Sequence, residues 1–311
     1  MVAVNNELIM VPTGAAANAI AYFDGTRWQM NSYLSHSVND FRLTLTTALS
    51  VTTADVTGAT TIYLTPHVGN RIGLHDGTRW RIYTTAELSL AIGTVTSGLP
   101  YDVFLYDNAG TLTLYKIAWT NGTTRATALF RQDGTWLSTS SSTLRYVGTF
   151  YTTSTTTTED SAAKRFLFNA NNRARRYMSG IDVTNSWTYT TDSWRAANNS
   201  SLNRLEYVCG LSEDAVGAEV RSWSVNATND VYQSVGVGVD STTVNSAQIF
   251  GQYVKAGIWT GHGANYRGVP SGVGFHYLQW LERSGAAGTT TWYGDDGANN
   301  TQTGIVAEVM A

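Results

Sequence analysis

Cysteine is almost absent from this sequence: Cys209 is the sole example in 311 residues. No intramolecular disulfide can form, so the fold relies on packing or assembly. Cys209 sits in the apolar run Leu205-Glu206-Tyr207-Val208-Cys209-Gly210, which reads as a strand holding an inert, buried thiol. Proline occurs four times, and lysine three times against 17 arginines. Charged residues make up 14% of the chain, where an average soluble protein has roughly 25%. Scarce charge, and arginine in place of lysine, suit a subunit that buries surface against copies of itself. The net charge of −3 argues against general nucleic-acid binding. No run approaches the roughly 18 apolar residues of a membrane helix, so no membrane insertion is expected. Met1 to Met10 lack the basic region and apolar core of a signal peptide.

Convergent catalytic chemistry is also missing. The five histidines, His36, His67, His75, His262 and His276, form no His-Glu-x-x-His pattern, and there is no spaced cysteine pair. No metal site or cofactor is therefore expected. No Gly-x-Ser-x-Gly elbow or phosphate-binding glycine loop occurs. Two carboxylates on distant strands, as a glycan hydrolase uses, leave no local signature. Gly294-Asp295-Asp296-Gly297-Ala298-Asn299-Asn300 has donors for calcium but not the spacing of a calcium loop, and reads as a solvated turn. The expectation is a protein that is not an enzyme.

What the chain does have is threonine, 45 times, and glycine, 29 times. Threonine fits strands, and glycine fits turns and bulges. The unit Asp24-Gly25-Thr26-Arg27-Trp28 recurs unchanged as Asp76-Gly77-Thr78-Arg79-Trp80 and, shortened, as Asp133-Gly134-Thr135-Trp136. Asp-Gly suits the two positive-φ positions of a type I′ hairpin turn, with the tryptophan packed on its own small sheet. The fold class expected is all-β: short antiparallel strands and hairpins.

Four parts are expected. Residues 1–48 form a small anchoring β segment, with alternation at Phe41-Arg42-Leu43-Thr44-Leu45. Residues 49–158 form a β domain with strands at 60–65, 101–106 and 111–116, the last two joined by an Asp107-Asn108-Ala109-Gly110 loop. A short helix is expected over 84–89, capped by Thr84 or Thr85. The threonine tract 152–158 reads equally as a linker or a strand. Residues 159–178 form a connector, with a helical turn near 159–169. Residues 179–311 form a jelly-roll-like sandwich, with strands at 186–190, 205–209, 218–225, 231–239, 249–259, 274–283 and 305–310. Gly236 and Gly238 leave room there for close approach of another segment.

Arg173, Arg175 and Arg176 form the one basic cluster, read either as a clamp on carboxylates of a neighbouring subunit or as a solvated interdomain face. The C-terminal aromatics Trp259, Tyr266, Tyr277, Trp280, Trp292 and Tyr293 either fill the sandwich core or stack against saccharide rings. Gly261-His262-Gly263-Ala264-Asn265-Tyr266-Arg267-Gly268 reads as an exposed recognition loop. The candidate glycan-binding residues are therefore Trp259, His262, Asn265, Tyr266 and Arg267.

Asp160-Ser161-Ala162-Ala163-Lys164-Arg165-Phe166-Leu167-Phe168-Asn169, followed by Asn172-Arg173-Ala174-Arg175-Arg176, resembles a segment of tailed-bacteriophage virion proteins of the tail-fibre, head-fibre or decoration type. Phe275-His276-Tyr277-Leu278-Gln279-Trp280-Leu281-Glu282 is similar to the same group. The resemblance spans about residues 50 to 311. It implies a β-rich homotrimer located on the virion surface, with no catalytic residues to carry over. Its partners would be copies of itself, other virion proteins through the N-terminal segment, and host-surface polysaccharide. One expected role is a short fibre or receptor-binding module; the alternative is a capsid decoration protein that reinforces the shell, and a third reading is a glycan-degrading tailspike. The absence of coiled-coil heptads and shaft repeats sets the chain apart from long fibres.

Overall fold

The computed structural model describes residues 36–298 and 301–311, together with the backbone of the short strands Val2–Val4, Glu7–Ile9, Ala21–Phe23 and Trp28–Met30. Among the described residues there is no α-helix, and the chain is an all-β protein of stacked antiparallel sheets.

The C-terminal part is built mainly from ten strands, β1 (Arg175–Ile181), β2 (Arg204–Cys209), β3 (Val216–Asn226), β4 (Val231–Val239), β5 (Gln248–Phe250), β6 (Gln252–Val254), β7 (Thr260–Gly268), β8 (Gly274–Ser284), β9 (Thr290–Tyr293) and β10 (Gly304–Met310), with the short strands Ser186–Thr188 beside β9 and Arg195–Ala196 beside β8. They form two facing sheets. The first runs β1-β10-β3-β7-β5, with β9 beside the second half of β3. The second runs β6-β4-β8-β2. Long strands consecutive in the chain alternate between the sheets, which is the jelly-roll arrangement. Alternation within each strand sends one row of side chains inward. Val220, Val235, Val237, Leu278, Trp280, Trp292 and Ile305 are fully buried between the sheets.

The middle part is a second sandwich. Its main sheet runs from Thr111–Ala118 through Pro100–Asn108, Ser141–Tyr151 and Thr135–Ser138 to Leu129–Gln132. Strands Leu88–Ala91, Thr61–Pro66 and Phe41–Thr44 face it, with Phe41, Leu43, Ile62, Leu64, Val103 and Leu105 in the shared core. Phe41 and Leu43 thus serve this core from ahead of residue 49. The other face of the main sheet carries Phe104, Tyr146 and Phe168, which pack against Val208 and Leu211 of the jelly roll.

Residues 159–178 form strands rather than the expected helical turn. Leu167–Asn169 joins the middle sheet, while Lys164–Arg165 pairs in parallel with β2. The second jelly-roll sheet thereby continues through Thr158–Asp160 to Val56–Ala59. Apolar Phe166, Leu167 and Phe168 have cores on both sides to enter, which outweighs the weak charge bias toward a helix. The threonine tract folds into a tight turn, closed by a bridge between the fully buried Thr152 and Thr158.

The expected helix over 84–89 is not formed. Thr84 ends one strand and Leu88 begins another. Glu87 is held by the hydroxyls of Thr47 and Thr65 and by the Ala48 amide instead of capping a helix. The hairpin units differ from one another. Asp133 (φ 51°) and Gly134 (φ 85°) make the expected two-residue turn. Asp76-Gly77-Thr78-Arg79 makes a four-residue loop in which Gly77 alone has positive φ and the Asp76 carboxylate accepts from the Thr78 and Arg79 amides. Trp80 is buried and donates from Nε1 to Asp133 at 2.8 Å, so the second unit is tied to the third. The turn of the first unit lies outside the described residues.

Candidate functional site

The first jelly-roll sheet has an uncovered outer face, and the two-residue period decides what reaches it. In β3 the outward residues are Glu219, Arg221 and Trp223, while Val220, Ser222 and Ser224 point into the core. In β7 the outward positions are Gly261, Gly263, Asn265 and Arg267. In β1 and β10 they include Tyr177, Val306 and Glu308. Pairing across the strands sets Tyr177, Glu308, Gly217 and Arg267 in one row, and Val306, Glu219, Asn265 and Gln248 in the next.

These rows enclose a shallow depression of about 180 Å³, lined by Tyr177, Glu219, Asn265, Arg267, Val306 and Glu308. Gly217 forms part of its floor. A Cβ at Gly217 would lie 2.5 Å from Arg267 Nη1 and 3.0 Å from its Cζ, so the guanidinium rests on bare backbone there. Glu219 pairs with Arg221 at 2.7 Å, and Glu308 with Arg175 at 3.4 Å. Both pairs are exposed, where such contacts contribute less than about 1 kcal/mol.

Beyond the depression the face becomes aromatic. Trp223 and Trp259 are each 41% exposed, and Phe250 is 78% exposed. Trp259 stacks on Tyr293 with centroids 4.0 Å apart at 23°. The Trp223 ring leans over Gly261, where a Cβ would meet it at 3.5 Å. Phe250 lies opposite Gly263, whose outer side is open. Side-chain-free backbone thus separates the exposed rings, and Arg221 shares the Phe250 row.

The structure divides the five sequence candidates. Asn265 and Arg267 lie on the open face, and Trp259 lies at its aromatic end. His262 and Tyr266 do not belong to a recognition surface, because residues 260–268 are a paired strand rather than an exposed loop. His262 is buried against Trp292, with Nε2 2.6 Å from Ser224 Oγ. Burial lowers its pKa to about 4, which keeps the imidazole neutral. Tyr266 packs on the core, and burial raises its phenol pKa. Trp280 and Trp292 are fully buried core residues. Tyr177, Glu219, Trp223 and Phe250 are additions that the sequence reading passed over. The signal for Trp223 was the alternation of β3, in which a large ring falls on the outward register.

The arginine trio finds its carboxylates within its own chain rather than on a neighbour. Arg173 pairs with Glu213 at 2.8 Å and also with Asp214. Arg176 is buried and pairs with Asp160 at 3.0 Å, alongside Arg165 at the same distance. Arg176 is thereby buried, whereas Arg173 and its partners Glu213 and Asp214 stay partly exposed. Arg175 alone is largely exposed, beside Glu308.

Ser224 and His262 are close enough to resemble a nucleophile and its base. Both are buried, no carboxylate orients His262, and its Nδ1 has no partner among the described residues. The pair belongs to a buried polar layer with Gln233, Thr290, Ser284 and Asn226. No cluster of three metal-ligating side chains occurs among the described residues.

No family model matches this chain, and no curated protein matches it. Among solved structures, the insecticidal delta-endotoxin Cry8Ea1 from Bacillus thuringiensis is similar over 87% of this chain and 51% of its own, at 7% identity and a TM-score of 0.24. A Cry1Da tryptic core variant from Bacillus thuringiensis aligns over 90% of this chain and 54% of its own, at 7% identity and a TM-score of 0.20. The chain thus spans about half the length of these toxins. The infectious bursal disease virus Gx strain structure aligns over 88% of this chain and 80% of its own, at 9% identity and a TM-score of 0.19. TM-scores of this size establish no common fold.

Proposed function

We propose that this chain is a non-enzymatic surface protein of a bacteriophage virion, assembled as a homotrimer, that contacts host-surface glycans through the open face of its jelly roll. One observation carries the binding part: a polar depression and, farther along the same outer face, exposed Phe250, Trp223 and Trp259 lie in successive rows of strand pairs. Sugar rings present C–H faces that stack on aromatic planes, while amides and guanidinium groups fix the hydroxyls. The virion assignment rests on the resemblance of residues 160–176 and 275–282 to phage virion proteins. Low charge and the surplus of arginine support self-association. The segment ahead of residue 36 is the proposed attachment to other virion proteins. Binding of the purified protein to a glycan array tests the reading, with Trp259→Ala and Trp223→Ala as variants. Binding that falls in both variants while each remains folded at the assay temperature supports it. A folded protein that binds no glycan overturns it.

A second reading, capsid reinforcement, is favoured by the way the two sandwiches are joined. One sheet runs from β6 to Val56–Ala59 across both of them, beside the buried Asp160, Arg165 and Arg176 cluster. A block tied in this way resists shear between its halves. Antibody labelling of particles separates the two: signal at the tail tip excludes the capsid role, and signal on the head excludes the adhesion role.

A further inference from the structure

The charge layout of the depression points to more than a generic sugar site. Its two lining carboxylates are already matched, Glu219 by Arg221 and Glu308 by Arg175. Arg267 makes no ion pair among the described residues and is exposed. Counting these five groups gives three arginines to two glutamates, a local surplus of one positive charge on a chain whose net charge is −3. The Arg267 side chain is exposed but lies along the sheet. It leans across Gly217, the one floor residue without a side chain, and beside Asn265. A planar guanidinium resting on bare backbone, with its N–H fork unmatched, is able to meet a carboxylate in two-point contact.

We infer that the depression takes the acidic unit of an oligosaccharide, a sugar whose carboxylate docks on Arg267 while the units that follow run along the sheet toward Trp223, six strand residues or about 20 Å away. This inference rests on the saccharide-binding reading proposed above. Asn265, next to Arg267 on the outward side of β7, is placed to hydrogen-bond a hydroxyl adjacent to the carboxylate.

The test is an array of carboxylate-bearing oligosaccharides, uronic and sialic acids among them, each spotted beside its carboxyl-reduced counterpart. The probes are the wild-type chain, Arg267→Gln, Arg267→Lys and Trp259→Ala. The expected result is binding to one or more acidic members that drops about tenfold or more on carboxyl reduction. Arg267→Gln should lose that preference, Arg267→Lys should keep part of it and become more sensitive to salt, and Trp259→Ala should weaken acidic and reduced members alike. Equal binding of acidic and reduced sugars overturns the acidic specificity and leaves the saccharide reading standing. Failure of the folded wild-type chain to bind any member, acidic or reduced, overturns both. Arg267 is exposed, so its variants should fold, and an unchanged melting temperature checks this.

Discussion

The main sheet of the middle sandwich and the first sheet of the jelly roll are both antiparallel and strongly alternating, yet they end in opposite situations. The middle sheet is covered twice, by the strand layer carrying Phe41 and Ile62 on one side and by Val208 and Leu211 on the other. The jelly-roll sheet is covered once. Its inner side meets Val235, Val237, Leu278 and Trp280, while its outer side carries Tyr177, Trp223 and Arg267. In the middle sheet both registers are core, so large apolar residues fall on both, as in Val103-Phe104-Leu105. In β3 one register is core and the other is free to carry chemistry. An aromatic on a doubly covered sheet supports the fold, whereas an aromatic on the open face is available for contact.

The largest expected effect separates the two faces directly. Trp280 is fully buried and meets Trp187 edge-on, with centroids 5.8 Å apart. Trp280→Ala should cost roughly 3–5 kcal/mol in denaturant unfolding. Trp223→Ala, on the outer side of the opposing sheet, removes a ring that is 41% exposed and should cost less, about 1–2 kcal/mol. A Trp223 variant that lost as much as the Trp280 variant would mean that the outer face is part of the core.

The inner face should also show itself through pH. Buried His262 has its pKa lowered from 6.5 to about 4, with desolvation as the cause. The unfolded chain therefore binds the proton first as pH falls below about 6.5. The stability contributed by the neutral imidazole is complete above that pH and is lost progressively as pH falls toward 4, by roughly 3 kcal/mol at most. His262→Gln should remove this part of the pH dependence. Unfolding curves for both proteins between pH 7 and pH 4 check it, and parallel curves would show that His262 reaches solvent.

A smaller effect is expected at the hairpin turns. Gly134 has φ 85° in a two-residue turn, and no atom would lie within 4 Å of a Cβ placed there. Gly134→Val should therefore cost about 1–2 kcal/mol through backbone strain alone. Gly77, at φ 95° in a longer loop, should tolerate the same change no better, because the sign of φ rather than the letters around it sets the cost. A melting shift at one glycine and not the other would show that the loop length matters more.

The parts legible in the sequence are those where a single strand carries its own pattern. Val231 to Val239 was readable at both ends, and Gly236 and Gly238 were readable as places of close approach. Asn245 and Ser241 do lie within 2.4 Å and 2.0 Å of where their Cβ atoms would be. The strand expected over 249–259 is instead two short strands and a turn, because β5 pairs with the first sheet and β6 with the second. That split depends on which neighbours flank the segment, which no local pattern records. Residues 261–268 looked like a loop because three of the eight are glycine at 261, 263 and 268. On the open face glycine is compatible with a strand, since β3 and β5 supply the pairing. The sequence leaves Arg173 and Arg176 open between an intersubunit clamp and an interdomain face, because their partners Glu213, Asp214 and Asp160 are distant in sequence or hidden in an apparent connector.

The smallest stability effect is expected at Gly217, and it bears most sharply on the contrast between the two faces. Its φ is not in the left-handed region, so alanine meets no backbone penalty there. The nearest atoms to the new methyl would be Nη1, Cζ and Cδ of Arg267, the outer part of a flexible exposed side chain. The guanidinium can swing away at little cost. Restricting the unfolded chain contributes about 0.4–1 kcal/mol in favour of the variant. Gly217→Ala should therefore melt at or slightly above the wild-type temperature. It should also lift Arg267 off its bed, filling part of the depression floor, and weaken binding of carboxylate-bearing sugars. A glycine on a doubly covered sheet behaves in the opposite way: at Gly148 a Cβ would lie 2.2 Å from the Phe168 carbonyl oxygen, a rigid backbone atom, so Gly148→Ala should destabilise. Calorimetry on the two variants reads the difference in covering. If Gly217→Ala melted as low as Gly148→Ala, the face would be packed rather than open, and the assignment of the depression as a contact site would fall with it.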